Sequence, residues 1–276
     1  MRILNPDCHN MDEEYRKSEW IKELVPIYGH RETKSMWKIY RESDRVSAKF
    51  TDDLKKLKAQ FPIQYLIGYT WFYDLKVFVD PAVLIPRPET EELVYYILDR
   101  VQDADFTVMD LGTGSGCISL ALKKNKPGWE IIGVDNSLEA LRVAKINAQY
   151  HNLDIHWSQG DMLDWNWNAT KKSNIIVSNP PYIPLGDKSK MGGNVIFHEP
   201  ESALFTADRN GLEYYLSICR NSWRQLKIGG WIFLEIHEEK GKDIVEMFES
   251  EGKYEEIEII KDMQGKDRIF CCRSVK

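Results

Sequence analysis

Between Asp12 and Gln60 the apolar positions fall three and four residues apart: Trp20, Ile21, Leu24 and Ile27, then Met36, Trp37, Ile39 and Tyr40, then Leu54 and Leu57. Set among charged residues, that spacing predicts short amphipathic helices. Pro26 and Gly29–His30 break the first of them, so residues 1–60 are expected to form a small helical domain. From Phe61 to Pro88 the pattern changes. Thr70–Tyr73 and Leu75–Val79 are aromatic and β-branched runs around Asp74, which predicts a β-hairpin. Pro81, Pro86 and Pro88 then fix an extended connection, because proline locks φ and pushes its predecessor out of the helical region. Residues 61–88 are expected to bridge two domains. Thr90, followed by Glu91, Glu92 and the apolar Leu93, Val94, Ile97 and Leu98, is expected to begin a helix.

From Phe106 onward strand and helix patterns alternate, within a domain expected over residues 89–276. Thr107–Leu111, Glu130–Val134, Ile155–Ser158, Asn174–Ser178 and Trp231–Glu235 read as strands. Cys117–Lys124, Leu138–Tyr150, Leu212–Leu226 and Asp243–Ser250 read as helices between or after them. Tyr254–Ile260 and Arg268–Arg273, joined by a polar turn around Gly265, are expected to pair antiparallel at one side. The alternation predicts an α/β domain, a doubly wound, mostly parallel sheet with helices on both faces.

Composition narrows the class. The chain has 276 residues, 43% of them hydrophobic and 29% charged, as in an ordinary globular protein with a core of its own. The formal net charge of −6 argues against a general duplex-DNA binder, which would present a basic surface. No uncharged apolar run reaches the ~20 residues of a membrane span, and Met1–Asn10 is polar, without a signal segment. Five cysteines, an odd number without metal-ligand spacing, fit a reduced cytoplasmic protein with no metal site.

Two segments carry candidate chemistry. The first, Asp110-Leu-Gly-Thr-Gly-Ser-Gly116, lies between a predicted strand and a predicted helix, where ligands gather in open α/β sheets. Glycines let the backbone approach a ligand, and the helix N-terminus offers unpaired N–H groups. Gly112, Gly114 and Gly116 give G-x-G-x-G rather than the dinucleotide G-x-G-x-x-G, and no Gly-Lys-Ser/Thr of a P-loop is present. Asp135 ends the second strand, about 20 residues on, where a carboxylate can accept both ribose hydroxyls. Its alternative is a helix cap, for which Ser137 competes. Asp161, after the third strand, can accept an adenine amino group or simply be a solvated loop charge. Together these describe a nucleoside site without strong provision for a pyrophosphate, and S-adenosylmethionine fits it better than NAD.

The second segment is Ser178-Asn179-Pro180-Pro181-Tyr182-Ile183-Pro184, at the carboxyl end of a neighbouring strand and facing the same crevice. A planar amide or aromatic amine nitrogen is a poor nucleophile because its lone pair is delocalised. The Asn179 side-chain oxygen and the Pro180 carbonyl can accept both of its N–H protons and aim it. As methyl transfer moves positive charge from sulfur to nitrogen, the same acceptors stabilise that charge. The prolines hold the carbonyl rigid, and Tyr182 gives a planar group a face to stack on. Alignment supplies the rest, with no tuned base required.

With these residues in place, the chain resembles the S-adenosylmethionine-dependent methyltransferases that carry Asn-Pro-Pro-Tyr. More closely it resembles the PrmC/HemK family, the release-factor glutamine N5-methyltransferases. Gln64-Tyr-Leu-Ile-Gly68, Val83-Leu-Ile-Pro-Arg-Pro-Glu-Thr-Glu-Glu-Leu-Val94 and His198-Glu-Pro-Glu-Ser-Ala-Leu-Phe205 extend the likeness over most of the chain from residue 61. The resemblance implies a class I, Rossmann-like methyltransferase fold. It implies that Gly112, Thr113, Gly114, Ser115, Gly116, Asp135 and Asn179 bind S-adenosylmethionine, Met162 lying near the adenine. Asn179, Pro180, Pro181 and Tyr182 would hold the substrate glutamine, that of the Gly-Gly-Gln loop of bacterial class I peptide-chain release factors. The helical domain would grip the protein partner. A monomer working without stable nucleic-acid or membrane contacts is expected.

The remaining features have plainer readings. Trp165 and Trp167 lack interleaved basic residues and suit a core or lid better than base stacking. His198 and Glu199 are expected to anchor a loop, Gly186–Gly193 to form a lid over the substrate, and Cys117 to pack. An adenine N6-methyltransferase on DNA or RNA shares the motif but would need a basic track and a route for base flipping. A ribosomal-protein glutamine methyltransferase is the nearer variant.

Overall fold

The computed structural model describes residues 6–43, 49–102, 105–165, 171–190 and 198–276. They divide into two compact units, one of residues up to Gly68 together with His198, the other running from Tyr69 onward.

The first unit is helical. A long run, α1 (Pro6–Glu42), is followed by α2 (Phe50–Lys58) and α3 (Ile63–Ile67). The expected break falls at Gly29 alone, whose φ of 75° and ψ of 167° leave the helix for one residue, while Pro26 is carried inside it. The three-and-four pattern buries Trp20, Leu24, Met36, Trp37 and Tyr40 against Leu54 and Leu57, whereas Ile27 and Ile39 stay at the surface. Trp20 is fully buried because its indole N–H reaches the Thr33 carbonyl at 3.1 Å across the break. Tyr40 donates to the buried Asp53 carboxylate at 3.0 Å.

The second unit opens with the hairpin β1 (Tyr69–Phe72) and β2 (Leu75–Phe78). Tyr73 and Asp74 both take positive φ at its two-residue turn, the geometry that matches strand twist. Next come α4 (Pro88–Arg100), β3 (Thr107–Leu111), α5 (Cys117–Asn125), β4 (Glu130–Asp135), α6 (Leu138–Tyr150), β5 (His156–Gln159) and β6 (Ser173–Ser178). β7 (Ile183–Pro184), α7 (Glu201–Leu204), β8 (Phe205–Thr206), α8 (Glu213–Asn221), β9 (Leu226–Glu235), α9 (Gly241–Glu251), β10 (Tyr254–Lys261) and β11 (Asp267–Ser274) complete it. The hairpin is held to α6 by Asn147, whose buried carboxamide bonds the Phe78 N–H at 2.7 Å and the Phe78 carbonyl at 3.0 Å.

Seven strands form one sheet in the order β10-β11-β9-β6-β3-β4-β5. Strands β9, β6, β3, β4 and β5 are parallel, and β11 and β10 close one side antiparallel, as the sequence predicts. β3 is buried along its whole length, which is the position of a central strand. The chain winds from β3 outward through β4 and β5, then returns to lay β6 on the other side of β3. That reversal opens a crevice at the carboxyl ends of β3 and β6.

Two boundaries differ from expectation. Pro88 does not extend the connection but occupies the first turn of α4, where its missing N–H costs nothing. The helix expected over Leu212–Leu226 stops at Asn221, passes through one 3₁₀ turn and becomes β9 at Leu226. β9 pairs Leu226 with Ser173, then Trp231 with Ile175. Gly230 permits the kink, since a Cβ there would sit 2.9 Å from the Asn174 carbonyl.

Candidate active site

The loop after β3 is built on a buried carboxylate. Asp110 accepts through Oδ2 from Thr113 Oγ1 at 2.6 Å, Ser119 Oγ at 2.7 Å and Ser119 N at 3.2 Å. Burial pushes its carboxyl up to about 6 despite those three donors. Thr113 therefore turns its side chain inward, and Ser115 is also buried. Gly116 caps α5 at φ 81°, and a Cβ on it would run into Trp157 and Ala144. Gly112 and Gly114, both at positive φ, are the loop residues that line the crevice. A Cβ on Gly112 would lie 2.7 Å from Met162 Cε, so glycine leaves the loop backbone bare toward the cavity.

Asp135 ends β4 opposite this loop. It accepts from Gly114 N at 2.8 Å through Oδ2 and from Ser137 N at 2.9 Å through Oδ1. Ser137 itself caps α6, accepting from Ala140 N at 3.1 Å, which releases Asp135 from that task. Each carboxylate oxygen retains acceptor capacity, and the group lines the crevice. Burial raises its pKa, with the three neighbouring backbone N–H groups opposing the rise. Asp161 lines the crevice too and shapes its own turn by accepting from Leu163 N at 2.8 Å. Met162 is buried beside it, its carbonyl held by Ser217 Oγ at 2.6 Å. Trp165 donates to the same Ser217 hydroxyl at 2.9 Å, while Trp167 lies outside the described residues.

The donor set suits a nucleoside bearing a sulfonium. Asp135 offers acceptors to a ribose, Met162 and Tyr214 give apolar walls, and Asp161 stands at the rim. Among the described residues no lysine or arginine lines the cavity, so none of them offers a counter-charge to a pyrophosphate there.

Asn179 and Pro181 form the wall of the crevice on the β6 side. Ser178 ties the end of β6 to β3 through a 2.7 Å hydrogen bond to the Leu111 carbonyl. Asn179 Nδ2 donates to Thr90 Oγ1 at 3.1 Å, which leaves its Oδ1 as the free acceptor. Tyr182 faces a neighbouring cleft lined by His237, Glu238 and Arg268, and its ring meets His237 edge-on at 5.9 Å. Burial holds its hydroxyl well above the usual phenol range. The following residues, Ile183–Pro184, pair with Phe205–Thr206 in a two-stranded ladder.

Glu199 anchors the loop before that ladder, as expected. Its side chain, 2% exposed, takes Arg87 at 2.6 Å and the Ile85 N–H at 3.1 Å. His198 bonds the Ala59 carbonyl at 3.4 Å and stacks edge-on against Phe61. Arg87→Met should cost about 2 kcal/mol in denaturant unfolding by stranding the buried carboxylate, and Glu199→Gln should cost less. Equal losses for the two would sink this account. Leu185–Lys190 forms a short 3₁₀ turn, while residues 191–193 of the expected lid lie outside the described residues. Cys117 is buried and its thiol is pushed up to about 12, the state of a packing residue.

Sequence reasoning passed over Tyr214, Thr90 and Glu235. The distinctive Pro-Glu-Thr-Glu stretch marks Thr90, but its hydroxyl caps nothing; it donates to Glu235 Oε2 at 2.6 Å. Tyr214 and Glu235 carry no local signal.

In comparison with known proteins, residues 92–208 match the family model of the methyltransferase small domain. A release factor glutamine methyltransferase from Streptococcus pneumoniae is 42% identical over 80% of this chain and 78% of its own. Another, from Flavobacterium psychrophilum, is 34% identical over 92% of this chain and 96% of its own. A Pyrococcus furiosus methyltransferase of known structure superposes with a TM-score of 0.56 at 17% identity, covering 80% of this chain and 98% of its own. That last likeness speaks to the fold alone.

Proposed function

The chain belongs to the release factor glutamine methyltransferase family, and from that premise we propose how its own residues carry the reaction. Its substrate is the side-chain amide of the glutamine in the Gly-Gly-Gln loop of a class I peptide-chain release factor, methylated at N5. S-adenosylmethionine, when bound, supplies an electrophilic methyl group. Asp135 holds the ribose, Gly112 and Gly114 admit the cofactor to the backbone, and Met162 borders the adenine with Asp161. Thr113, Ser115 and Gly116 act one layer back, keeping the loop in shape.

Asn179 Oδ1 and the Pro180 carbonyl accept the two N–H protons of the glutamine amide and turn its nitrogen toward the crevice. Pro181 stiffens that carbonyl. Tyr182 supplies a flat face on the side from which the polypeptide arrives. As the N–C bond forms at the expense of the donor's S–CH3 bond, the nitrogen gains positive charge, the two acceptors already in place stabilise it, and one N–H proton is then lost to solvent to leave the neutral N-methyl amide. The observation that carries this reading is the pinned Asn179 amide at the crevice wall, whose nitrogen is engaged by Thr90, leaving its oxygen as the free acceptor.

The N-terminal 60 residues grip the release factor, with residues 61–88 joining them to the catalytic part at 89–276. Tyr15, Ile27 and Ile39 at the surface of the helical unit suit that contact. No helix among the described residues is long and apolar enough to cross a membrane, and a translation factor as substrate supports a cytoplasmic site of action. No stable nucleic-acid contact is required.

The test is methyl transfer to a purified release factor, followed by peptide mass spectrometry. Methyl on the Gly-Gly-Gln glutamine is the expected result. Methyl on adenine of added DNA or RNA, or on a ribosomal-protein glutamine, with the release factor untouched, would overturn the substrate assignment.

A further inference from the structure

We propose that Thr90 and Glu235 are a positioning pair that fixes which end of the Asn179 carboxamide faces the crevice. The inference rests on the glutamine reading above for its consequence, but not for its geometry. Neither residue lines the cavity, so neither touches substrate or cofactor. Both side chains lie beneath it, each residue 2% exposed.

The hydrogen count gives the chain of contacts a direction. A carboxylate can only accept, so the single Thr90 proton goes to Glu235 Oε2 at 2.6 Å. Thr90 Oγ1 is then left with lone pairs alone. It can only accept, and takes Asn179 Nδ2–H at 3.1 Å. Because the carboxamide is planar and its nitrogen is committed, Oδ1 is the end presented to the incoming amide. Removing the anchor removes the direction. A Thr90 hydroxyl without its acceptor can donate to Asn179 Oδ1 instead, and the flipped amide would oppose its own N–H groups to those of the substrate.

Glu235 closes β9 and its backbone carbonyl takes the Tyr215 hydroxyl at 3.0 Å. Arg268 from β11 and Arg87 before α4 favour its carboxylate, Glu89 opposes it, and Tyr182, Tyr215 and the Cys117 thiol face it as neutral groups. Burial outweighs the cations and lifts its carboxyl to about 7. Protonated, Glu235 ceases to be acceptor-only and the direction of the relay is lost. The ordered form therefore exists above that point and fades as pH falls through it.

Two readouts test the pair. One is the Asn179 side-chain amide in ¹⁵N NMR, assigned by its absence in Asn179→Ala and followed without substrate. Slow proton exchange in the wild type and in Thr90→Ser, fast exchange in Thr90→Val, and a titration midpoint near 7 that Glu235→Gln abolishes are expected. The other is steady-state methylation of the release factor. Thr90→Val and Glu235→Gln should lower kcat about tenfold to a hundredfold with KM little changed, and Thr90→Ser should restore most of the rate. Glu235→Gln should also flatten the acid limb of the kcat profile. Wild-type amide exchange and wild-type kcat in a folded Thr90→Val, with Asn179→Ala inactive, would overturn the pair and leave the glutamine reading standing. A release factor that is never methylated would instead overturn that reading, and the amide exchange would still decide the pair.

Discussion

Asn179→Ala is expected to lower kcat on the release factor about 10²- to 10³-fold while cofactor affinity changes only a few-fold. The reasoning is differential. An amide nitrogen carries little positive charge in the ground state and much more as its new bond forms, so an acceptor fixed beside it acts mainly on the transition state. Asn179 is fixed in that sense, since Thr90 engages its nitrogen at 3.1 Å and the end of β6 is tied to β3 through Ser178. The cofactor side of the crevice depends on other residues, chiefly Asp135 and Met162, which the substitution leaves in place. Calorimetric titration of the cofactor and single-turnover methylation separate the two effects. Turnover within threefold of wild type would remove Asn179 from the chemistry.

How much of this was legible in the sequence depended on how local the determinant is. β3 and α6 fall on the predicted residues, Thr107–Leu111 and Leu138–Tyr150, because a short run bounded by Asp105 before it and the Gly112–Gly116 loop after it, and a Ser137-capped amphipathic run, declare both ends themselves. The helix expected over Leu212–Leu226 overran because Leu226 continues the helical spacing. Its burial comes from the sheet, through pairing with Ser173 more than fifty residues earlier, which no local period encodes. The site divides in the same way. The glycine loop and Asn179–Tyr182 are contiguous, so residue types and order suggest their chemistry. Thr90 and Glu235 are separated by 145 residues, and Thr90 and Asn179 by 89. A threonine before two glutamates reads as a helix start, and a glutamate ending an apolar strand reads as a surface residue. Only the adjacency of β9, β6 and the N-terminal turn of α4 makes them one network.

Gly211→Ala should be nearly as damaging to turnover, although the sequence around it announces only a turn. Gly211 adopts φ 73°, and a Cβ there would lie 2.4 Å from the Tyr182 carbonyl oxygen. That oxygen belongs to the backbone, so no side-chain rotation relieves the contact. Nor can either partner drift. Asp208 accepts from the N–H groups of Asn210 and Leu212 on both sides of Gly211, and the chain beyond Tyr182 is paired through Ile183–Pro184 to Phe205–Thr206. The displacement therefore falls on the Asn-Pro-Pro-Tyr segment, where a shift of about 1 Å costs on the order of a hundredfold in rate. Positive φ on a non-glycine residue adds about 1–2 kcal/mol of instability. Gly252 isolates that second effect, since it has φ 63° at the end of α9 and no atom within 4 Å of its would-be Cβ. Gly252→Ala should lower unfolding stability by a similar amount and leave kcat as it is. Denaturant unfolding and kcat measured on both variants give the comparison, and equal rates for the two would mean that the Tyr182 backbone does not set the position of the reacting amide.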